Sequence, residues 1–99
     1  MEDITVEQLK ERQAANEALN ILDVREEWEH EEDNMGAKLI PLGDIPSRIS
    51  EIEDWKDQEM IVHCKSGGRS GNAKKYLESQ GFTKVRNMLG GMLAYRAKG

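Results

Sequence analysis

The sequence predicts an α/β fold, a mostly parallel sheet with helices on both faces. Three observations lead there. Short apolar runs of strand length alternate with segments of helical spacing along the chain. Parallel sheets need that alternation, because the crossover between two parallel strands is usually a helix. The clearest unit is Met60-Ile61-Val62-His63 followed by Ser70 to Gln80, a buried strand, a loop and a helix in order. Finally, 99 residues make one domain and not two, with no internal repeat and no low-complexity linker.

The first helix is expected over residues 5–19, with Thr5 as its cap and Gln8 completing a capping box. Val6, Leu9 and Gln13 share one face, a thin stripe that predicts loose docking. Asn20 to Arg25 reads as a short buried strand, and Glu26 to Glu32 as an acidic helix anchored by Trp28. Ala37 to Ile40 is a second strand, ended by Pro41. Asp44 or Ser47 caps the next helix, Pro46 suits its first turn, and Ile45, Ile49 and Ile52 recur at helical spacing. Ser70 to Gln80 turns Ala73, Tyr76 and Leu77 to one side, and Gly81 supplies the left-handed residue that ends it. Lys84 to Asn87 is the last strand, Gly90-Gly91 a turn rather than a phosphate site, and Met92 to Ala97 a closing helical turn or two. Sheets of this kind bind ligands at the carboxyl ends of their strands. Asp23, Arg25 and Cys64 all fall at or just past such ends and are expected on one rim.

A chain of this size buries roughly 60–70% of its unfolded surface, enough for one core. Aromatic residues are few, so that core must be aliphatic. The net charge of −5 argues against general nucleic-acid or membrane-surface binding. Acidic residues crowd the chain before residue 60, whereas from Lys65 onward basic residues dominate. A positive local field around that second half favours a small anionic substrate. No targeting segment or long apolar run is visible, and one cysteine cannot form an internal disulfide, so the expected location is the reducing cytoplasm.

That cysteine opens the run Cys64-Lys65-Ser66-Gly67-Gly68-Arg69-Ser70. An ordinary thiol has a pKa of about 8.5 and is little ionised at neutral pH. Here the amides from Lys65 to Ser70 can curl into an anion-binding nest, with Gly67 and Gly68 permitting the positive φ angles required. The helix beginning near Ser70 adds its positive end, and Lys65 and Arg69 add full charges. Together these favour a nucleophilic thiolate without a histidine base. The same shallow cradle would hold the anion formed when the cysteine carries a second sulfur.

The loop resembles the active loop of rhodanese-like single-domain sulfurtransferases. Ile21-Leu22-Asp23-Val24-Arg25-Glu26-Glu27 resembles that family's "LLDVRE" motif, Gly36-Ala37 with Ile40-Pro41-Leu42 its "GA…IPL" stretch, and Leu89-Gly90-Gly91-Met92-Leu93-Ala94-Tyr95 its "L-x-GG-x-x-A-W". The resemblance covers nearly the whole chain, as a single rhodanese-like domain over residues 1–99. It implies a five-stranded sheet and a persulfide mechanism, in which Cys64 takes a sulfane sulfur from thiosulfate or a persulfide donor. The sulfur then passes to cyanide, a thiol or a protein cysteine. A sulfur-carrier or protein-binding module with little turnover is the alternative. Phosphatases and arsenate reductases of this fold carry one residue more in the loop; here four residues separate Cys64 from Arg69, which favours sulfur transfer. Two departures stand out: Asp33 occupies the position of the family's histidine, and Tyr95 that of its tryptophan.

Cys64 is thus the expected catalytic residue, with Lys65, Ser66, Gly67, Gly68, Arg69 and Ser70 around the substrate. Arg69 serves either as a substrate contact or as a loop clamp tied to an acid; Ser66 and Ser70 satisfy loop amides or cap the helix. Asp23 and Arg25 are expected as supports, by ion pair or by bonds to the loop from beneath. His63 points to the opposite face as a satisfied core or interface histidine, and His30 is expected in solvent. No residues have metal-ligand spacing, so neither metal nor other cofactor is expected. The acidic runs read as solvated faces, with docking of a basic partner as the lesser alternative.

Overall fold

The structure, a computed structural model, describes residues 1–98. Its sheet has four strands, β1 (Ile21–Asp23), β2 (Lys38–Leu39), β3 (Met60–His63) and β4 (Val85–Asn87), in the order β2-β1-β3-β4 with every pair parallel. The register sets Leu22 beside both Lys38 and Val62, and Val62 beside Asn87. The carboxyl ends of β1, β3 and β4 therefore finish level with one another.

Five strands were expected; the described residues form four. A single parallel bridge, Ile4 to Met88, lies beyond the β4 edge. Ile4 cannot begin a strand there, because Thr5 already caps a helix: its hydroxyl accepts from the Gln8 amide and its own amide donates to the Gln8 side chain.

Alternation along β3 gives the sheet two apolar faces. Met60, Val62 and Cys64 join Leu22, Val24, Ile45, Ile52, Ala73 and Leu77 on one side. Helices α3 (Ile45–Arg48) and α4 (Gly68–Ser79) cover that side. Ile61 joins Ile4, Val6, Leu9 and Met88 on the other, beneath α1 (Val6–Ala14) and α5 (Gly91–Ala97). The remaining helix, α2 (Glu27–Glu32), follows β1.

Several local expectations change. Helix α1 stops at Ala14, and Asn16 takes a left-handed φ of 59°. It is firmly docked rather than loose: Leu9 is fully buried and Arg12 reaches Glu59 across the fold. Gln13 accepts from the Tyr95 hydroxyl at 2.8 Å and Lys10 lies over the Tyr95 ring, so polar ties supplement the thin stripe and Tyr95 still joins α5 to α1. Trp28 does not anchor α2; it is 61% exposed, and Glu29 is the buried residue of that helix. The Ile45 helix breaks at Arg48 into 3₁₀ turns through Trp55, and neither Asp44 nor Ser47 caps it by side chain. Gly81, at φ 93°, ends α4 as expected.

Candidate active site

The thiol loop runs from the end of β3 to the start of α4. Gly67 takes φ 107°, a conformation that side chains resist, and α4 begins at Gly68, two residues before the expected start. This turn folds the chain back over Cys64. The Gly67 N–H donates to the Cys64 Sγ at 3.1 Å, and the Ser70 hydroxyl lies 3.3 Å from it. Cys64 is 1% exposed, but the groups it meets within the loop are donors.

Two effects oppose each other at the sulfur. Burial pushes the thiol up, and the Ser70 hydroxyl with the amides of Ser70, Gly67 and Ser66 pulls it down. The donors prevail, and the thiol is held below its ordinary value. Among the described residues no base bonds the sulfur on this face. His63 is fully buried on the far side of β3, where burial pushes it down to about 4, so it is neutral at pH 7. Both its ring nitrogens lack a partner among the described residues, which corrects the expectation of a satisfied histidine.

Arg69 is engaged as a clamp. Its two terminal nitrogens meet the Glu29 carboxylate at 2.6 and 2.9 Å, tying α4 to α2. The Arg69 guanidinium beside Glu29 holds that carboxyl down at about 2. Its charge still favours an anion at Cys64. Lys65 and Ser66 are exposed on the loop, Gly68 is exposed beside them, and Ser70 is fully buried.

Asp23 and Arg25 form a buried ion pair, Nη2 to Oδ2 at 2.8 Å. The Arg25 backbone N–H also donates to Asp23, and its guanidinium donates to the Asp33 carbonyl at 2.6 Å. His30, expected in solvent, instead reaches Asp23 with Nδ1 at 2.8 Å, because a buried carboxylate needs more than one partner. Asp33, at the position of the family's histidine, pairs with Arg96, Nε to Oδ2 at 2.7 Å. Neither Asp23 nor Arg25 bonds the thiol loop, although Arg25 shares a groove with Lys65.

That groove, about 240 Å³ in volume, lies between α2, the thiol loop and α5. Trp28, Met92 and Leu93 give it an apolar strip. Trp28 and Leu93 are 61% and 58% exposed. The back of the loop rests on α5: the amides of Met92 and Leu93 donate to the carbonyls of Cys64 and Lys65 at 2.9 and 3.0 Å. Gly91 makes this approach, since a Cβ there would stand 2.6 Å from the Cys64 carbonyl oxygen.

Two residues of the arrangement escaped the sequence. Glu29 is one of six acids from Glu26 to Asp33, with Trp28 beside it, and nothing in that run marks which carboxylate turns inward. Asn87 ends β4 and touches both sides of the loop: its Oδ1 lies 2.5 Å from the Ser70 Oγ, and its Nδ2 donates to the Gly67 carbonyl at 3.2 Å. A polar residue at a strand's carboxyl end was the available signal.

Comparison with known proteins places this geometry in context. The family model described as "Rhodanese-like domain" matches residues 5–98. YtwF of Bacillus subtilis, a candidate sulfurtransferase, is 39% identical over 99 residues, covering 99% of this chain and 93% of that protein. YrkF of the same organism, a candidate sulfur carrier protein, is 38% identical over 97% of this chain, which spans about half of YrkF (51%). The crystal structure of a rhodanese-like domain protein from Staphylococcus aureus superposes with a TM-score of 0.86 at 32% identity, covering 96% of this chain and 91% of that one.

Proposed function

The chain belongs to the rhodanese-like domain family, and on that premise we propose that it is a sulfurtransferase that carries sulfane sulfur on Cys64. The observation that carries this reading is the sulfur's surroundings: the Gly67 N–H at 3.1 Å and the Ser70 hydroxyl at 3.3 Å, with no general base bonded to the sulfur among the described residues. Such a site stabilises a sulfur anion directly.

With thiosulfate as donor, the Cys64 thiolate attacks the sulfane sulfur. The donor's S–S bond breaks, sulfite leaves with the bonding pair, and Cys64 holds a persulfide anion. An acceptor such as cyanide or a thiolate then attacks the terminal sulfur, and the Cys64 thiolate leaves. The loop amides serve both steps, because the negative charge returns to the same cradle. Lys65, exposed at the loop, draws an anionic donor. Arg69 contributes charge while Glu29 fixes its position. Gly67 and Gly68 supply the backbone turn, and Ser66 its amide.

Cys64 is 1% exposed, so the approach suits a reagent offering one terminal sulfur. A tetrahedral oxyanion would have to be enclosed whole. This supports sulfur transfer over phosphoryl or arsenate chemistry. A lone reactive thiol suits a reducing compartment such as the cytoplasm. The groove favours a second reading of the acceptor step: Trp28 and Leu93 offer apolar contact to a protein or peptide thiol, so the chain passes sulfur to or from a carrier.

Incubation with thiosulfate, read by intact mass, tests the proposal. One added sulfur, about 32 Da, is expected on the native protein and none on Cys64→Ser. Thiosulfate:cyanide turnover should follow the same pattern. Absence of the adduct with thiosulfate and with persulfide donors alike would remove the proposal.

A further inference from the structure

We propose that Asn87 is a positioning residue whose side-chain amide competes with the Cys64 sulfur for the single Ser70 hydroxyl hydrogen. The orientation of the amide is fixed independently of Ser70. Its Nδ2 faces the Gly67 carbonyl at 3.2 Å, and the opposite flip would set two acceptors against each other. Oδ1 is therefore the atom 2.5 Å from the Ser70 Oγ. Two oxygens that close require a hydrogen between them, and a carboxamide oxygen has none to give. Ser70 must supply it.

Ser70 has only that one hydrogen, and Cys64 Sγ stands 3.3 Å from the same oxygen. With the hydrogen toward Asn87, Ser70 presents lone pairs to the sulfur and can accept from a neutral S–H. With the hydrogen toward the sulfur, Ser70 stabilises the thiolate and leaves Asn87 facing a bare oxygen. Ser70 is fully buried and Asn87 is 7% exposed, so water does not relieve either state. Asn87 thereby opposes the donor that Ser70 provides, while its other end holds the Gly67 turn that supplies the amide donor. It moderates the thiolate, which tunes Cys64 both as attacking group and as leaving group.

The charged groups near the loop come from every packed element: Arg69 on α4 with Glu29 on α2, Asp23 and Arg25 at the end of β1, Lys65 on the loop and neutral His63 on β3. Asp3 bonds the Asn87 amide of the backbone, not its side chain. None of these changes in the variants that test the proposal.

The test is the pH dependence of Cys64 alkylation by iodoacetamide on the full chain. It uses no sulfur donor, so its outcome is separate from that of the sulfur-transfer proposal. Asn87→Leu keeps the volume and removes the competing acceptor; its midpoint should fall by about half to one pH unit, roughly three- to tenfold more thiolate on the acid side. Ser70→Ala should raise the midpoint, and Asn87→Leu placed in that background should leave it where Ser70→Ala put it. Asn87→Asp adds a charge as well as a stronger acceptor, so it should raise the midpoint more with Ser70 present than in the Ser70→Ala background, and that difference keeps the test open should the leucine variant fail to fold. An unchanged or raised midpoint in Asn87→Leu, an Asn87→Asp shift of the same size with and without Ser70, or a leucine shift that persists without Ser70 each overturns the proposal.

Discussion

His63 and Cys64 are adjacent on the chain and face opposite sides of the sheet, so the thiol meets hydrogen-bond donors while the imidazole, beside Asp23 in the register, is buried without a hydrogen bond among the described residues. For His63 that placement is a liability. Both ring nitrogens are unpartnered, and burial pushes the ring down to about 4. An unfolded histidine titrates at about 6.5. Between those values the unfolded chain binds the proton and the folded chain does not. Stability is therefore full above about 6.5 and falls as the pH drops toward 4. His63→Leu removes both the orphaned nitrogens and this slope. Urea melts should show the variant more stable than the native protein at pH 8 by on the order of 1 kcal/mol. The advantage should widen by about 2 kcal/mol at pH 5. An advantage of the same size at both pH values would mean that His63 takes up its proton while folded.

At the scale of elements, the thiol loop is held from three sides: by α4 in front, by Glu29 of α2 at Arg69, and by the first turn of α5 behind. The strand-loop-helix unit was legible because β3 opens on the apolar run Met60-Ile61-Val62 and the loop carries its own glycines. The supports were not, because they come from distant segments. Periodicity cannot tell Glu29 from Trp28 in a helix as short as α2, and the ion pair to Arg69 decides the matter against hydrophobicity. The fifth strand failed for a local reason, since the Thr5 capping box claims the backbone that a strand would need. Gly90-Gly91 was legible as a turn but not as the seat of the loop. Gly91 has φ 59°, and a Cβ there would press on the carbonyls of Cys64 and Lys65. Gly36, at φ 84°, has nothing within 4 Å of such a Cβ. Both alanine variants should lower stability by about 1 kcal/mol for the left-handed residue alone. Only Gly91→Ala should also slow Cys64 alkylation, by roughly tenfold or more, through displacement of the amides around the sulfur. Equal alkylation rates in the two variants would detach α5 from the chemistry.

Across the whole molecule, charge that is segregated in sequence becomes paired in space. The basic second half was expected to give the loop a positive field. Instead Arg69 meets Glu29, Arg86 meets Glu59, Lys74 meets Asp3 and Arg96 meets Asp33, each cation finding an acid of the first half. Among the described residues around the groove, Lys65 has no salt bridge, and neither has Glu32. The unpaired positive charge that an anionic donor meets at the loop is therefore that of Lys65, with Arg69 acting from within its ion pair, and what distinguishes the surrounding surface is its apolar strip. Of the four exposed large hydrophobic side chains among the described residues, Trp28 and Leu93 both line the groove. Cyanide is too small to touch that strip on its way to the sulfur, whereas a cysteine-bearing peptide would cover it. The doubly substituted Trp28→Ala, Leu93→Ala protein should therefore keep its thiosulfate:cyanide turnover and its thermal midpoint, since both side chains are already largely exposed. With an acceptor peptide that sets an apolar residue next to its cysteine, KM should rise by about tenfold, as loss of roughly 1–2 kcal/mol of apolar contact requires. Steady-state rates with the two acceptors on the same preparation make the comparison. If both acceptors lose alike, the strip supports the loop; if neither changes, a protein thiol reaches Cys64 by another side.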